Sequence, residues 1–92
     1  MNVELRLFAT FREVVGQKTI HREFDDDATI ETVLRGLESE YPDLAGEFVE
    51  NGEILSQVNV LKNGREVHHL DGLATSVADG DTISIFPPVA GG

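Results

Sequence analysis

The sequence ends in a segment whose residue types suit it for chemistry at its carboxyl end, Phe86-Pro87-Pro88-Val89-Ala90-Gly91-Gly92. No side chain crowds the carboxyl group of Gly92, so a nucleotide or a sulfur nucleophile can approach it. Glycine adopts backbone conformations that are closed to other residues, so a Gly-Gly segment can enter a narrow active site. Pro87 and Pro88 fix φ and favour an extended path. We therefore expect a domain over residues 1–86 and an extended, reactive tail over residues 87–92, against the alternative of a frayed and inert terminus.

Two other clusters carry side chains that bind metals elsewhere, and neither predicts a metal site here. His68 and His69 are adjacent, so in a strand they point to opposite faces and cannot easily share one ion. We expect them to be solvated residues of an edge strand. Asp25-Asp26-Asp27 lacks the spaced oxygen ligands and the glycine of a calcium loop, which predicts a solvated loop.

Composition excludes several classes of protein. The 92 residues predict one domain, and the absence of cysteine excludes disulfides, thiolate metal sites and cysteine catalysis. No apolar run approaches a membrane span, and the start of the chain lacks the pattern of a signal peptide, so we expect a cytoplasmic protein that binds no membrane. The chain also carries no Ser/His/Asp set or phosphate-cradling glycine loop that would predict an enzyme.

The charge is strongly negative, with 17 acidic residues, 7 basic residues and a net charge of −10. This balance predicts no binding to the phosphate backbone of nucleic acids. Because the acidic residues are spread along the whole chain, we favour a protein adapted to a salt-rich cytosol over an acidic domain that docks on a basic partner.

Alternating apolar residues predict the strands. Residues 2–8 and 19–24 predict two strands joined by a short connection into an antiparallel hairpin. Residues 58–61 predict a third strand, and the Asn63-Gly64 turn leads into a short fourth strand through Val67. For residues 70–77 we expect an irregular segment, with room for one tight helical turn. Residues 81–86 predict the last strand, with Ile83 and Ile85 facing inward and Phe86 outward.

One helix is predicted between the second and third strands. Thr29 stands at the N-cap position, and Pro42 ends the helix. Between them the apolar residues recur at helical spacing: Ile30, Val33, Leu34, Leu37 and Tyr41. For residues 44–55 we expect only a short helical turn and a loop around Asn51-Gly52.

This order of elements predicts an α+β fold of the β-grasp, ubiquitin-like type. We expect a mixed sheet of four to five strands with one main helix packed on one face. In that topology the first and last strands are parallel neighbours at the centre of the sheet. Phe8 and Phe86 would then be neighbours on the face that the helix leaves uncovered.

Two end motifs resemble the MoaD/ThiS family of sulfur carriers. The first is Leu7-Phe8-Ala9-x-x-Arg12-Glu13-x-x-Gly16, and the second is the Phe86-to-Gly92 ending, which resembles the small subunit of molybdopterin synthase most closely. The likeness spans the chain. With its acidic composition, the chain also resembles the small archaeal ubiquitin-like modifiers.

The resemblance implies a mechanism in which the chain is a substrate of other proteins and binds no cofactor itself. An adenylating enzyme would use ATP and Mg²⁺ to convert the Gly92 carboxylate into an acyl adenylate. A sulfur donor would then produce a thiocarboxylate that serves molybdopterin synthesis, with the large subunit of molybdopterin synthase as a partner. Alternatively, a lysine of a target protein would be acylated to an isopeptide. We place sulfur transfer first, conjugation second and a non-reactive interaction module third.

The resemblance also implies a partner-binding surface. Leu61 and Phe86 correspond to the recognition face of ubiquitin-like folds, and together with Phe8 they predict an exposed apolar cluster. We favour such an interface over the alternative that one or two of these residues belong to the core. The tail residues Pro87, Pro88, Val89, Ala90 and Gly91 would enter the partner's active site. Arg12 would contact an acidic group of the partner or, as the more conservative expectation, pair with a neighbouring carboxylate of this chain.

Overall fold

A computed structural model describes residues 1–88 of the chain. In chain order the elements are β1 (Asn2–Leu7), α1 (Ala9–Val15), β2 (Thr19–Glu23), α2 (Ile30–Glu40), β3 (Val49–Glu50), β4 (Glu53–Ile54), β5 (Asn59–Lys62), β6 (Arg65–Glu66) and β7 (Thr82–Phe86). Single 3-10 turns lie at Pro42–Leu44, Val67–His69 and Gly72–Ala74. No helix within residues 1–88 has the length and apolar character needed to cross a membrane.

Five strands form one mixed sheet in the order β2-β1-β7-β5-β6. β1 and β7 pair in parallel, with Glu4 opposite Thr82 and Leu7 opposite Ile85, whereas the other pairs are antiparallel. The predicted β-grasp fold and its central parallel pair are therefore confirmed.

The sheet buries one face under α2. Thr29 caps the helix and forms a reciprocal capping box with Thr32, which satisfies backbone N–H groups of the first turn. The chain leaves the helix at Tyr41, since Pro42 cannot continue it. The apolar stripe of α2 and the inward residues of the two central strands are almost fully buried: Ile30, Val33, Leu34, Leu37, Val3, Leu5, Leu7, Ile83 and Ile85.

The prediction of a short connection between the first two strands is wrong. The two strands do pair antiparallel, but α1 lies between them. Phe11 on α1 is buried and packs edge to face against Phe48, with 5.0 Å between ring centroids. Gly16 ends this helix in the left-handed conformation, with φ of 86°. The contact between Phe11 and Phe48 stabilises this helix, and the local pattern of its seven residues does not reveal that contact.

The mixed region over residues 44–55 contains a second, two-stranded sheet that the sequence did not predict. β3 and β4 pair antiparallel around Asn51-Gly52, whose φ values of 54° and 78° define a tight hairpin turn. Phe48, directly before β3, is fully buried and ties this hairpin to the core.

The Asn63-Gly64 turn between β5 and β6 is confirmed, with φ values of 50° and 84°. The predicted extension of the fourth strand through Val67 is wrong, because β6 ends at Glu66 and Val67 turns into the core. His68 and His69 are exposed as expected, but they lie in the following 3-10 turn and not on an edge strand.

Candidate partner-docking face

Phe8 and Phe86 form a stacked aromatic pair on the face of the sheet opposite α2. Their ring centroids are 4.1 Å apart, and their planes differ by 13°. Both residues are half-buried, and neither packs against the buried core cluster. Two aromatic rings are therefore held together at the surface, where the chain leaves β7 for the tail.

Strand pairing brings these two residues together across 78 positions of sequence. Phe86 is the last residue of β7, and its strand neighbours on that side are Ser84 and Thr82. Phe8 directly follows β1 in an extended conformation, with φ of −123° and ψ of 152°. Because side chains alternate along strands and the two strands are parallel, both rings leave the same face of the sheet at the same end.

Leu61 lies on the same face, one strand further along the sheet. It pairs with Ser84 on β7, two residues before Phe86, whereas its neighbour Val60 pairs with the buried Ile85. Leu61 is half-buried and does not pack against the core cluster. We call Phe8, Leu61 and Phe86 together the aromatic patch.

A cleft of about 420 Å³ adjoins the aromatic patch at the root of the tail. Its walls are mostly apolar and come from the residue after β1, the start of α1, the start of β5, and the last residue of β7 with the two prolines that follow it: Phe8, Ala9, Thr10, Asn59, Phe86, Pro87 and Pro88. Ala9 has a φ of 51°, which a residue other than glycine rarely adopts. This sharp bend starts α1 beside the cleft.

Positive charge borders the aromatic patch, although the protein is strongly acidic. The Nζ atom of Lys18 lies 5.4 Å from the centroid of the Phe8 ring, within the range of a cation–π contact. Arg6 precedes Phe8 on the same face of β1 and donates to Glu4, with 2.7 Å between Nε and Oε2. That hydrogen bond holds the pKa of Glu4 below its ordinary value, and His21 lies 3.4 Å from the other carboxylate oxygen.

Arg12 lies on α1 and is exposed, and together with Ala9, Glu13 and Gly16 it lines a separate shallow depression. None of the ion pairs within residues 1–88 involves Arg12. The conservative expectation that it pairs with a neighbouring carboxylate is therefore not met in this part of the chain. Its role in partner binding stays a prediction.

The structure describes the tail only at its root. Pro87 is half-buried and Pro88 is exposed, and both line the cleft. The predicted reactive residues, Gly91 and Gly92, lie outside the described residues, as do Val89 and Ala90. The division into a domain over residues 1–86 and a tail over residues 87–92 also stays a prediction.

No cluster of three or more metal-binding side chains occurs in residues 1–88. His68 therefore belongs to no such cluster; its Nε2 atom lies 3.5 Å from the carbonyl oxygen of Val58.

Sequence reasoning missed Ala9, Thr10, Asn59 and Lys18 as parts of this site. One available signal was the spacing of Phe8, Phe11 and Val15, which is helical and ends at a glycine. That spacing is compatible with a short helix beside the cleft, and the contact between Phe11 and Phe48 decides that the helix forms. No local pattern predicts that Lys18 lies over Phe8, because that contact depends on where the chain leaves α1.

Comparison with known proteins places the chain among carriers and modifiers of this fold. The ThiS family pattern matches residues 5–92. Small archaeal modifier protein 3 of Haloferax volcanii is 66% identical over 92 residues, covering all of both chains. Small archaeal modifier protein 1 of the same organism is 37% identical over 91 residues, or 98% of this chain and all of the relative. Sulfur carrier protein CysO of Mycobacterium tuberculosis is 33% identical over 96 aligned positions, covering all of both chains.

Solved structures of similar proteins share the fold of this chain. The solution structure of a Haloferax volcanii protein superposes with a TM-score of 0.92 at 66% identity, covering all of this chain and 87% of that one. A chain in the crystal structure of the Amycolatopsis orientalis BexX/CysO complex gives a TM-score of 0.84 at 28% identity, covering 98% and 99% of the two chains.

Fold and site therefore define a β-grasp protein of the ubiquitin-like kind. The chain belongs to the ThiS family, which includes both sulfur carriers and ubiquitin-like modifiers.

Proposed function

We propose that this protein is a ubiquitin-like modifier that is joined through the carboxyl group of Gly92 to lysine side chains of other proteins. The observation that carries the proposal is the 66% identity, over the full length of both chains, to Small archaeal modifier protein 3. The 37% identity to a second modifier over nearly the whole chain adds support. We expected sulfur transfer first from the sequence, and these relatives reverse that order.

The chemistry requires a partner, since a carboxylate is a poor electrophile until one oxygen becomes part of a good leaving group. In the proposed reaction, a carboxylate oxygen of Gly92 attacks the α-phosphorus of ATP and pyrophosphate leaves. A lysine amine then attacks the acyl carbon, AMP leaves, and the amine loses a proton as the isopeptide forms. The adenylating enzyme binds ATP and Mg²⁺ and carries out the chemistry, so the modifier acts as a substrate and not as an enzyme.

The surface of the protein suits it to such a partner. The aromatic patch combines two large rings and a leucine beside the root of the tail, and aromatic anchors in central positions dominate many interfaces. A partner that covers the patch is guided to the point where the tail starts. We propose that Phe8, Leu61 and Phe86 dock the adenylating enzyme while residues 87–92 extend into its active site.

A second function, sulfur delivery, is favoured by the full-length similarity to sulfur carrier protein CysO. In that reaction hydrosulfide from a sulfur donor attacks the acyl carbon of the same adenylate, AMP leaves, and Gly92 becomes a thiocarboxylate. Molybdopterin synthesis, with the large subunit of molybdopterin synthase as partner, is the acceptor that the resemblance of the tail suggests. Both functions use one activated intermediate, so one chain can serve both.

The proposal is tested with an amino-terminally tagged chain produced in Haloferax volcanii cells, alongside a variant that lacks Gly91 and Gly92. We expect tagged conjugates of higher mass from the full chain and none from the truncated one. The melting temperature of the truncated protein should be unchanged, because the core lies within residues 1–88. Intact-mass measurement of the unconjugated protein detects replacement of one oxygen by sulfur. Conjugates that persist after the truncation would disprove attachment through Gly92, and a thiocarboxylate without conjugates would leave sulfur delivery as the function.

A further inference from the structure

Two Asn-Gly pairs occupy the same kind of turn in this protein, and they differ in what holds the asparagine side chain. Asn51-Gly52 joins β3 to β4, and Asn63-Gly64 joins β5 to β6. The φ values are 54° and 78° in the first turn and 50° and 84° in the second. All four residues are exposed. The dipeptide, the backbone conformation and the solvent access are therefore matched, so any difference in reactivity comes from the surroundings of the two side chains.

An asparagine that precedes glycine can lose ammonia without an enzyme. The backbone nitrogen of the glycine attacks the Cγ atom of the asparagine, since glycine has no side chain that shields its nitrogen. The Cγ–Nδ2 bond breaks, the glycine N–H proton passes through solvent to the leaving nitrogen, and ammonia departs from a five-membered succinimide. Water then opens the ring at either carbonyl and leaves aspartate or isoaspartate. The side-chain amide must turn back over the following peptide bond for this reaction to start.

The side chain of Asn63 is held away from that reaction. Its Nδ2 atom donates to Oδ1 of Asp81 at 2.9 Å, and its Oδ1 atom accepts from the backbone N–H of Thr82 at 2.9 Å. Its backbone N–H donates to the carbonyl oxygen of Thr82 at 2.8 Å. Asp81 is itself buried. The amide of Asn63 must therefore give up two hydrogen bonds before its carbon can approach the nitrogen of Gly64.

The side chain of Asn51 has no such restraint in the part of the chain that the structure describes. None of the side-chain hydrogen bonds within residues 1–88 involves it. Its turn also closes a separate sheet of two strands with two residues each, and a hairpin of this size is marginal by itself. The turn at Asn63, in contrast, follows β5, which pairs with β7 in the main sheet. The turn at Asn51 therefore opens locally at a lower cost.

We propose that Asn51 is a site of spontaneous deamidation, at which the amide becomes aspartate or isoaspartate while Asn63 is protected. The inference is independent of the proposed function. The product places a new carboxylate between Glu50 and Glu53, which already lie opposite each other across the hairpin. Like charges in that arrangement destabilise a strand pair, so the reaction weakens the hairpin in which it occurs. The turn also forms one wall of a cleft of about 560 Å³, so the modification adds negative charge beside that cleft.

The first test compares the two sites within one protein. The purified chain is incubated in mildly alkaline buffer and digested with a protease that cuts only after lysine, which places the sites in separate peptides, residues 19–62 and 63–92. Mass spectrometry follows the replacement of NH₂ by OH. We expect Asn51 to react about tenfold faster, which corresponds to about 1.4 kcal/mol, the scale of the two hydrogen bonds that Asn63 must give up. In urea the two rates should approach each other. Equal rates in the folded protein, faster reaction at Asn63, a ratio just as large in urea, or no reaction at Asn51 would overturn the proposal.

The second test identifies the residue and the route. The peptide of residues 19–62 also contains Asn59, so the variant Asn51→Gln is the matched control. Glutamine would have to close a six-membered ring, which is slower, and we expect the mass increase of this peptide to disappear. Labelling of the wild-type peptide by an isoaspartyl methyltransferase should detect isoaspartate, which forms when the succinimide opens. A mass increase that persists in Asn51→Gln, or one without isoaspartate in the wild type, would overturn the proposal.

Discussion

Phe86 shows how one residue position joins the fold to the proposed function. Its neighbour Ile85 is fully buried, whereas Phe86 points to the opposite face and stacks on Phe8. The alternation of a strand therefore separates a core residue from a surface residue within one peptide bond. The pair is worth about 0.5–1.5 kcal/mol beyond the area it buries, so Phe8 and Phe86 stabilise each other modestly.

We expect Phe86→Ala to weaken binding of the adenylating enzyme by at least ~2 kcal/mol, because aromatic anchors at interfaces typically cost that much when truncated. The loss of folding stability should be about 1–2 kcal/mol, which combines the stacking on Phe8 with the partial burial of the ring. Ile85→Ala is the matched control and should cost about 2–5 kcal/mol of stability, as fully buried aliphatic residues do. Urea unfolding and titration calorimetry measure the two quantities. A stability loss from Phe86→Ala as large as that of the control, with unchanged affinity, would place Phe86 in the core and refute the interface.

At the scale of elements, a bidentate ion pair ties the edge strand to the main helix. Arg22 on β2 donates to both carboxylate oxygens of Glu40 at the end of α2, with 2.8 Å between Nε and Oε1. Arg22 also donates to the carbonyl oxygen of His21 and to the Tyr41 hydroxyl. The hydrogen bond to Arg22 holds the pKa of Glu40 below its ordinary value, and the same bond raises the pKa of Arg22.

This ion pair predicts a defined pH dependence. Because the pKa of Glu40 is lower in the folded protein, the pair contributes its full stability above the ordinary carboxylate pKa of about 4.3. The contribution is lost as the pH falls through the lower, folded value. Glu40→Gln should therefore destabilise the protein at pH 7 by no more than ~1 kcal/mol, the scale of exposed pairs, and the difference from wild type should vanish in strong acid.

Urea unfolding at pH 7 and in strong acid measures this difference. Glu47→Gln is the control, since Glu47 is exposed and takes part in none of the ion pairs within residues 1–88. Removing its negative charge from an acidic protein should leave stability at pH 7 unchanged or slightly higher. If Glu40→Gln behaves like this control at pH 7, the pair does not stabilise the docking of α2 on β2.

At the scale of the whole molecule, the net charge of −10 is spread over a domain with a radius of gyration of 12.0 Å. The ion pairs within residues 1–88 engage Glu4, Glu31, Glu40, Asp26 and Asp81. The remaining acidic side chains repel one another across distances comparable to the Debye length at low salt. Self-repulsion of this kind destabilises the compact state.

We expect the melting temperature to rise as KCl is increased from low to high concentration, because screening weakens repulsion among many carboxylates more than it weakens a few exposed pairs. The double variant Asp25→Asn, Asp27→Asn removes two carboxylates of one loop and retains Asp26 beside the amino terminus. It should be more stable than wild type at low salt and respond less to KCl. A melting temperature that is flat or falls with added KCl in the wild type would refute adaptation to high salt.

The sequence by itself determined those helices, strands and turns whose patterns depend only on nearby residues. Alternation in residues 2–8 and 81–86, the helical stripe that begins at Ile30, and the Asn63-Gly64 turn each depend on neighbours within a few positions. Strand parity then predicted that Phe8 and Phe86 share a face, because side-chain direction repeats every two residues. The expectation of a reactive tail likewise rests on its amino-acid types, and it stays a prediction.

The tertiary structure alone decided what depends on contacts between distant segments. α1 and the β3–β4 hairpin are short, and they are stabilised by the packing of Phe11 on Phe48, which brings together two segments of ambiguous pattern. The hydrogen bonds of a short helix or hairpin stabilise it too little for residue propensities to predict it. Whether such an element forms depends on the apolar side chains that it buries against the rest of the protein. The contacts of the two lysine side chains were decided in the same way, since Lys18 lies over Phe8 and Lys62 donates to Ser76 only once the fold brings these segments together.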